Sequence, residues 1–259
     1  RVGGRVIRRR DEIGQLAREF DTMAEQLERL VGSQRRLLSD VSHELRSPLA
    51  RLRVALELAR DRGGMAADEY FDRMERESAR IDDLIGQLLL LERLAAGKPD
   101  GEKTTFALAD LVGEVVDDAS FEASVSGIEV AVETGVDVAV EGYPNLVRSA
   151  VDNVLRNAIR HTPASTTVDV DLGVDADWVK ITVRDRGPGV PEEHLGSLFA
   201  PFTRVAEARE RTTGGAGLGL AIARRAVELH DGTVSARNHP DGGLEVELRL
   251  PRVVGHEPS

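Results

Sequence analysis

The sequence predicts an α+β protein: a long helical hairpin that pairs into a dimeric four-helix bundle, followed by an α/β sandwich. Three observations carry this expectation. Apolar residues repeat every seven positions from residue 13 to residue 59, and a glycine-containing break then leads into a second periodic stretch. Beyond Gly101 the pattern changes to short alternating segments mixed with helical ones, without regular βαβ spacing.

The heptad seam is two interleaved series. One is Ile13, Phe20, Leu27, Val41, Pro48 and Ala55, with Gln34 in its gap; the other is Ala17, Ala24, Val31, Leu38, Leu45, Leu52 and Ala59. "DRGG" at Asp61–Gly64 breaks the first helix, and "GKPDG" at Gly97–Gly101 ends the second, whose stripe runs through Phe71, Met74, Ser78, Ile81, Ile85, Leu88, Leu91 and Ala95. A two-helix hairpin must cover its apolar stripe. Pairing with a second copy does so most directly, and packing against the C-terminal half is the alternative.

Within the first helix lies "SDVSHELRSPLARLR", residues 39–53. His43 is two residues from Val41 and from Leu45, roughly 200° around the helix at about 100° per residue, so its ring points away from the seam. Glu44 adjoins it, and Ser47 lies one turn on along the same face. Pro48 cannot donate to the Glu44 carbonyl, a loss of about 3 kcal/mol in a helix interior, so a loosened helix is expected here. A solvent-facing nucleophile beside a base on such a helix suits covalent chemistry; an ordinary surface histidine is the bland alternative.

The chain has 259 residues, 41% hydrophobic and 31% charged, with a formal net charge of −11. That balance disfavours non-specific nucleic-acid binding, and no nucleic-acid partner is expected. The absence of cysteine removes disulfide and thiolate chemistry. No apolar run approaches a membrane span, and no signal peptide is visible. The opening "RVGGRVIRRRDEIG", without an initiator Met, suggests a fragment of something longer.

In the second half "IEVAVE", "VDVAV", "TTVDVDL" and "WVKITVRD" alternate as strands, "NLVRSAVDNVLRNAIRH" reads as a helix, and "TVSARN" with "LEVELRL" forms a closing hairpin. Helices are expected on one sheet face. Three segments look chemical. Asn153 and Asn157 share a helical face, and amide oxygens are hard ligands suited to Mg²⁺, though buried Asn pairs are also ordinary core groups. "DRGPGV" sets Asp185 at a strand end, followed by Gly187 and Gly189, where backbone can approach a ligand. Gly214, Gly215, Gly217 and Gly219 run into an amphipathic helix, whose free N–H groups bind phosphates. This is neither a Walker A loop nor a dinucleotide fingerprint. The polar "RVAEARERTTGG" before it reads as a mobile lid.

Together these segments resemble the bacterial sensor histidine kinases of two-component systems. "SHELRSPL" is similar to their phospho-acceptor motif, "DNVLRNAIRHT" to the asparagine box, and "DRGPGVP" and "GGAGLGLAI" to the two glycine boxes. "LFAPFTR" is similar to the phenylalanine box, and "DEIGQLAREFDTMAEQL" to the last helix of a HAMP signal-relay module. The resemblance implies a HAMP end over residues 1–32, a dimerisation and phosphotransfer hairpin over 33–100, a Bergerat-type ATP-binding domain over 101–253, and a tail over 254–259.

It also implies roles. His43 would be the phosphorylated residue with Glu44 as base or orienter, and Ser47 would orient a water that hydrolyses the phospho-aspartate of a response regulator. Asn157 would coordinate Mg²⁺ and Asn153 support the phosphates of ATP; Asp185 would hold the adenine amino group in a pocket shaped by Gly187 and Gly189. Gly215, Gly217, Leu218 and Gly219 would flank the triphosphate, with Arg160 near phosphate. His161 stands where the family often has an aromatic residue, and Thr203 where another is frequent. The expected partners are a second copy, a response regulator and ATP, for a cytoplasmic piece of an inner-membrane protein. A GHKL-type ATPase without phosphohistidine and a dimeric scaffold without nucleotide binding are the rival classes.

Overall fold

The computed structural model describes residues 12–62, 67–136, 138–203 and 216–253. These divide into two compact units, with the boundary between Ile81 and Asp82. Helix α1 spans Glu12–Arg62 and α2 spans Asp68–Ala95, matching the two periodic stretches. Pro48 is buried and leaves α1 unbroken: one missing hydrogen bond does not end a helix held by a long apolar stripe. Ala55 and Ala59 of the seam are buried, whereas Phe20, Leu27 and Leu38 stay exposed in the single chain. Among the described residues no helix is long and apolar enough to cross a membrane.

The second unit is built on a five-stranded sheet of order β2-β4-β5-β7-β6: β2 Glu129–Glu133, β4 Thr167–Asp175, β5 Trp178–Arg184, β6 Thr233–Asn238 and β7 Leu244–Pro251. β2 runs parallel to β4, and the other pairings are antiparallel. The period-two pattern sets the register. Val170, Val183 and Val246 lie across from one another, as do Leu172, Ile181 and Leu248, all buried on one face. Three helices cover that face: α3 Leu108–Val125, α4 Pro144–His161 and α6 Gly219–Glu228. A one-turn α5, Glu192–Leu195, follows the turn after β5.

Two elements depart from the expectations. Helix α3 was absent from them, because its Gly113 and paired Val115 and Val116 weaken helix propensity and no side chain caps its start. Its Leu108, Leu111, Val112, Val115, Ala119 and Ala123 are nonetheless buried at helical spacing. "VDVAV" yields only the shifted strand β3, Ala139–Gly142, which pairs antiparallel with β1, Thr104–Ala107, as a separate ribbon. Phe106 opposite Val140 sets that register.

His230 ties α6 to the start of α4. Its Nε2 accepts the Tyr143 N–H at 2.8 Å, and its Nδ1 lies 2.7 Å from the Ala226 carbonyl, so Nδ1 carries the proton and the ring is neutral. Burial lowers its pKa below the usual histidine value. The folded state thus binds fewer protons than the unfolded one. The ring's contribution is complete above about pH 6.5 and is lost as pH falls through the lower folded value. His230→Phe leaves the Tyr143 N–H unpaired and is expected to cost about 2 kcal/mol at pH 7.5. In denaturant melts at pH 7.5 and pH 5.5 the variant should lose less stability on acidification than the parent; an equal loss would refute the assignment.

Candidate functional site

Two sites emerge, one in each unit. On α1, His43 is exposed and Glu44 half-buried, with no hydrogen bond between them. Ser47 is exposed, and its Oγ accepts Arg51 Nη1–H at 2.6 Å rather than bonding local backbone. The same guanidinium donates through Nη2 to Glu77 Oε2 of α2 at 2.8 Å, and Arg80 Nη1 donates to the other oxygen at 3.1 Å. Glu77 is only 4% exposed. The Arg51 hydrogen bond outweighs the cost of burial and holds its carboxyl below the usual range. Ser47 is thereby connected to the second helix of the hairpin.

In the second unit a cavity of about 740 Å³ opens between α4, the turn after β5 and the entry to α6. Asn153, Asn157, Arg160 and His161 border it from α4, where the i, i+4 spacing puts both amides on one face. Asp185 and Gly189 border it from the turn, and Gly217 and Gly219 from the entry to α6, with Thr203 between. The side chain of Leu218 is fully buried and does not line the cavity, so only its backbone belongs to the helix entry. Gly187 lies behind the turn: a Cβ there would come within 2.6 Å of the His161 carbonyl. Gly214, Gly215 and the "RVAEARERTTGG" stretch lie outside the described residues.

Asp185 is 4% exposed, and its two oxygens are used differently. Oδ1 accepts the Gly187 N–H at 2.8 Å and the Leu244 N–H at 3.0 Å. Oδ2 has no partner among the described residues. Asn153 donates from Nδ2 to the Ser149 carbonyl at 2.8 Å, so its Oδ1 remains an acceptor, and a Cβ at Gly219 would sit 2.6 Å from it. The Asn157 amide makes no hydrogen bond among the described residues. The first N–H groups of α6 close this wall.

Sequence reasoning missed the backing of this site. Gly243, at φ +90, has its Cβ position 1.9 Å from the Asp185 carbonyl oxygen, so only glycine fits. Gly217, at φ +74, meets the backbone of Phe202 and Thr203, and Phe202 N–H donates to the Gly217 carbonyl at 2.9 Å. The closing hairpin of "TVSARN" and "LEVELRL" was legible, but the approach of its turn to Asp185 was not.

Residues 33–97 match the His Kinase A phospho-acceptor domain, and residues 142–254 match the histidine kinase-, DNA gyrase B- and HSP90-like ATPase family. The chain is 42% identical over 233 residues to the sensor histidine kinase CpxA of Escherichia coli, covering 90% of this chain and 50% of that protein. The chain belongs to the bacterial two-component sensor histidine kinases. A second member, the sensor protein PfeS of Pseudomonas aeruginosa, is 38% identical over 244 residues, covering 94% of this chain and 52% of the relative. The chain spans about half the length of these kinases. Among solved structures, full-length ShkA in complex with AMPPNP superposes with a TM-score of 0.61 at 25% identity, covering 86% of this chain and 47% of that one. In this family the hairpin is the phospho-acceptor part, and the cavity is lined mainly by the ATPase part, with Asp83 and Gln87 of α2 at its border.

Proposed function

We propose that this chain is the kinase portion of a longer sensor protein, transferring the γ-phosphoryl group of ATP to His43 and then to an aspartate of a response regulator. The carrying observation is the pairing, in one chain, of an exposed histidine on the hairpin with a cavity that gathers Asn153, Asn157, Asp185 and the α6 entry. The AMPPNP held by ShkA supports an adenine nucleotide as ligand. The Asp185 Oδ2 accepts the adenine amino group, and the α6 N–H groups hold phosphate oxygens beside Arg160. Asn157, and Asn153 Oδ1, offer amide oxygens of the type that Mg²⁺ takes. When bound, Mg²⁺ supplies neutralisation of the phosphate charge.

A lone pair of the His43 imidazole attacks the γ-phosphorus, the bond to the bridging oxygen breaks, and ADP leaves with that electron pair. Glu44 takes the proton released from the ring. Protein groups here position rather than react, as phosphoryl transfer requires. The exposed seam residues Phe20, Leu27 and Leu38 are covered by a second copy in a four-helix bundle. Residues 1–32 act as the end of a HAMP relay, 33–100 as the hairpin and 101–253 as the ATP domain, in a protein anchored in the bacterial inner membrane.

Incubation with γ-labelled ATP and Mg²⁺ tests this: acid-labile, alkali-stable label on the chain is expected, and its absence would remove the kinase reading in favour of an ATPase or scaffold. Asn157→Ala should lower Mg²⁺-dependent labelling at least about a hundredfold. Mixed with His43→Gln chains, it should regain label if transfer crosses the dimer. Ser47→Ala should retain labelling and transfer but slow regulator dephosphorylation about tenfold, since the hydroxyl contributes orientation. Unchanged dephosphorylation would leave Ser47 a structural partner of Arg51.

A further inference from the structure

The turn that carries Asp185 is gripped at both ends by the β6–β7 hairpin. At the near end Asp185 N–H donates to the Leu244 carbonyl at 3.0 Å, and Leu244 N–H returns to Asp185 Oδ1 at 3.0 Å. At the far end the grip is a side chain. Asn238, the last residue of β6, accepts the Val190 N–H through Oδ1 at 2.9 Å and donates from Nδ2 to the Val190 carbonyl at 2.7 Å. Flipping the amide would oppose like groups at both contacts, so this orientation is the only satisfied one. Asn238 thus imitates a strand residue and satisfies both backbone groups of a position 48 residues away. The Cβ position of Gly189, at φ +73, lies 2.8 Å from the same Oδ1, so the turn is seated directly on the amide. Pro188, Gly189 and Val190 line the cavity, whereas Asn238 does not.

We infer that Asn238 is a positioning residue for nucleotide binding, holding the Pro188–Val190 rim in its ligand-ready shape without touching the ligand. This deepens the ATP reading and rests on it. A rim already ordered in the free protein spares the ligand the entropy of ordering it, so the effect falls on affinity and not on the transfer step. Neither contact can be kept by Ala. Asp keeps the acceptor for Val190 N–H but sets a second carboxylate oxygen against the Val190 carbonyl.

The experiment uses the full 259-residue chain. Calorimetry with ATP and with ADP, and initial labelling rates across ATP concentrations, are compared for parent, Asn238→Ala and Asn238→Asp. Expected are a rise of about tenfold in Kd for ATP and ADP alike, with Asp no better than Ala, and kcat at saturating ATP within about twofold of the parent. Thermal melts should show both variants folded. Parent-like Kd in both variants would overturn the inference, as would a fall in kcat matching the change in Kd. If the parent binds no ATP, the ATP reading fails; if it binds and the variants bind equally, only the role of Asn238 fails.

Discussion

His43→Gln is expected to reduce acid-labile label from γ-labelled ATP to background while leaving the Kd for ATP within about twofold. The two halves of this result separate the two sites. The histidine lies on α1 in the first compact unit, and the nucleotide cavity is lined from the second. Glutamine keeps a polar, helix-compatible side chain at an exposed position, so α1 should lose almost no stability. Its amide nitrogen has no free lone pair, because conjugation with the carbonyl removes it, whereas the imidazole retains one. Radiolabelling with acid and alkali treatment gives the first readout and calorimetry the second. Undiminished label would place the acceptor on another residue.

Asp185→Asn is expected to weaken ATP binding by roughly ten- to a hundredfold, the equivalent of one charge-assisted hydrogen bond of about 1.5–3 kcal/mol. The substitution is informative because the two carboxylate oxygens divide their work. The asparagine Oδ1 keeps the bonds from Gly187 N–H and Leu244 N–H, so the turn and its pairing with β7 survive. The second oxygen becomes an NH₂ group that can only donate, which sets it against the adenine amino group. Unfolding temperature within a few degrees of the parent, together with the lost affinity, would locate the effect in recognition. Unaltered ATP affinity in a folded variant would show that Asp185 is only a strut of the turn.

How much of this was legible follows from how local each feature is. The heptad positions from 13 to 59 specify a long helix with one apolar stripe, because the helical period acts within a few residues, and they placed His43 off that stripe correctly. The alternation in "WVKITVRD" specified β5 and which of its residues face the core. Helix α3 went unseen because its propensity is mediocre and only burial of its apolar face against α4 and the sheet stabilises it. The site divides in the same way. Asn153, Asn157, Asp185 and the glycine tract were visible as motifs, each contained within a few residues of chain.

What the tertiary structure alone decided is the partnership between distant residues. Arg51 reaches Glu77 across the hairpin, 26 residues away, and connects Ser47 to the second helix. Gly243 gives Asp185 room for its carbonyl, and Asn238 holds Val190. Residues 185 and 243–245 meet because the β5–β7 register aligns Arg184 with Glu245, and a one-residue slip would bring different atoms together. By itself the sequence determined the helical and strand periods, the turn chemistry and the reactive groups, since these arise from neighbours along the chain. It left open which backbone groups those residues satisfy, because that depends on how the whole sheet closes against its helices.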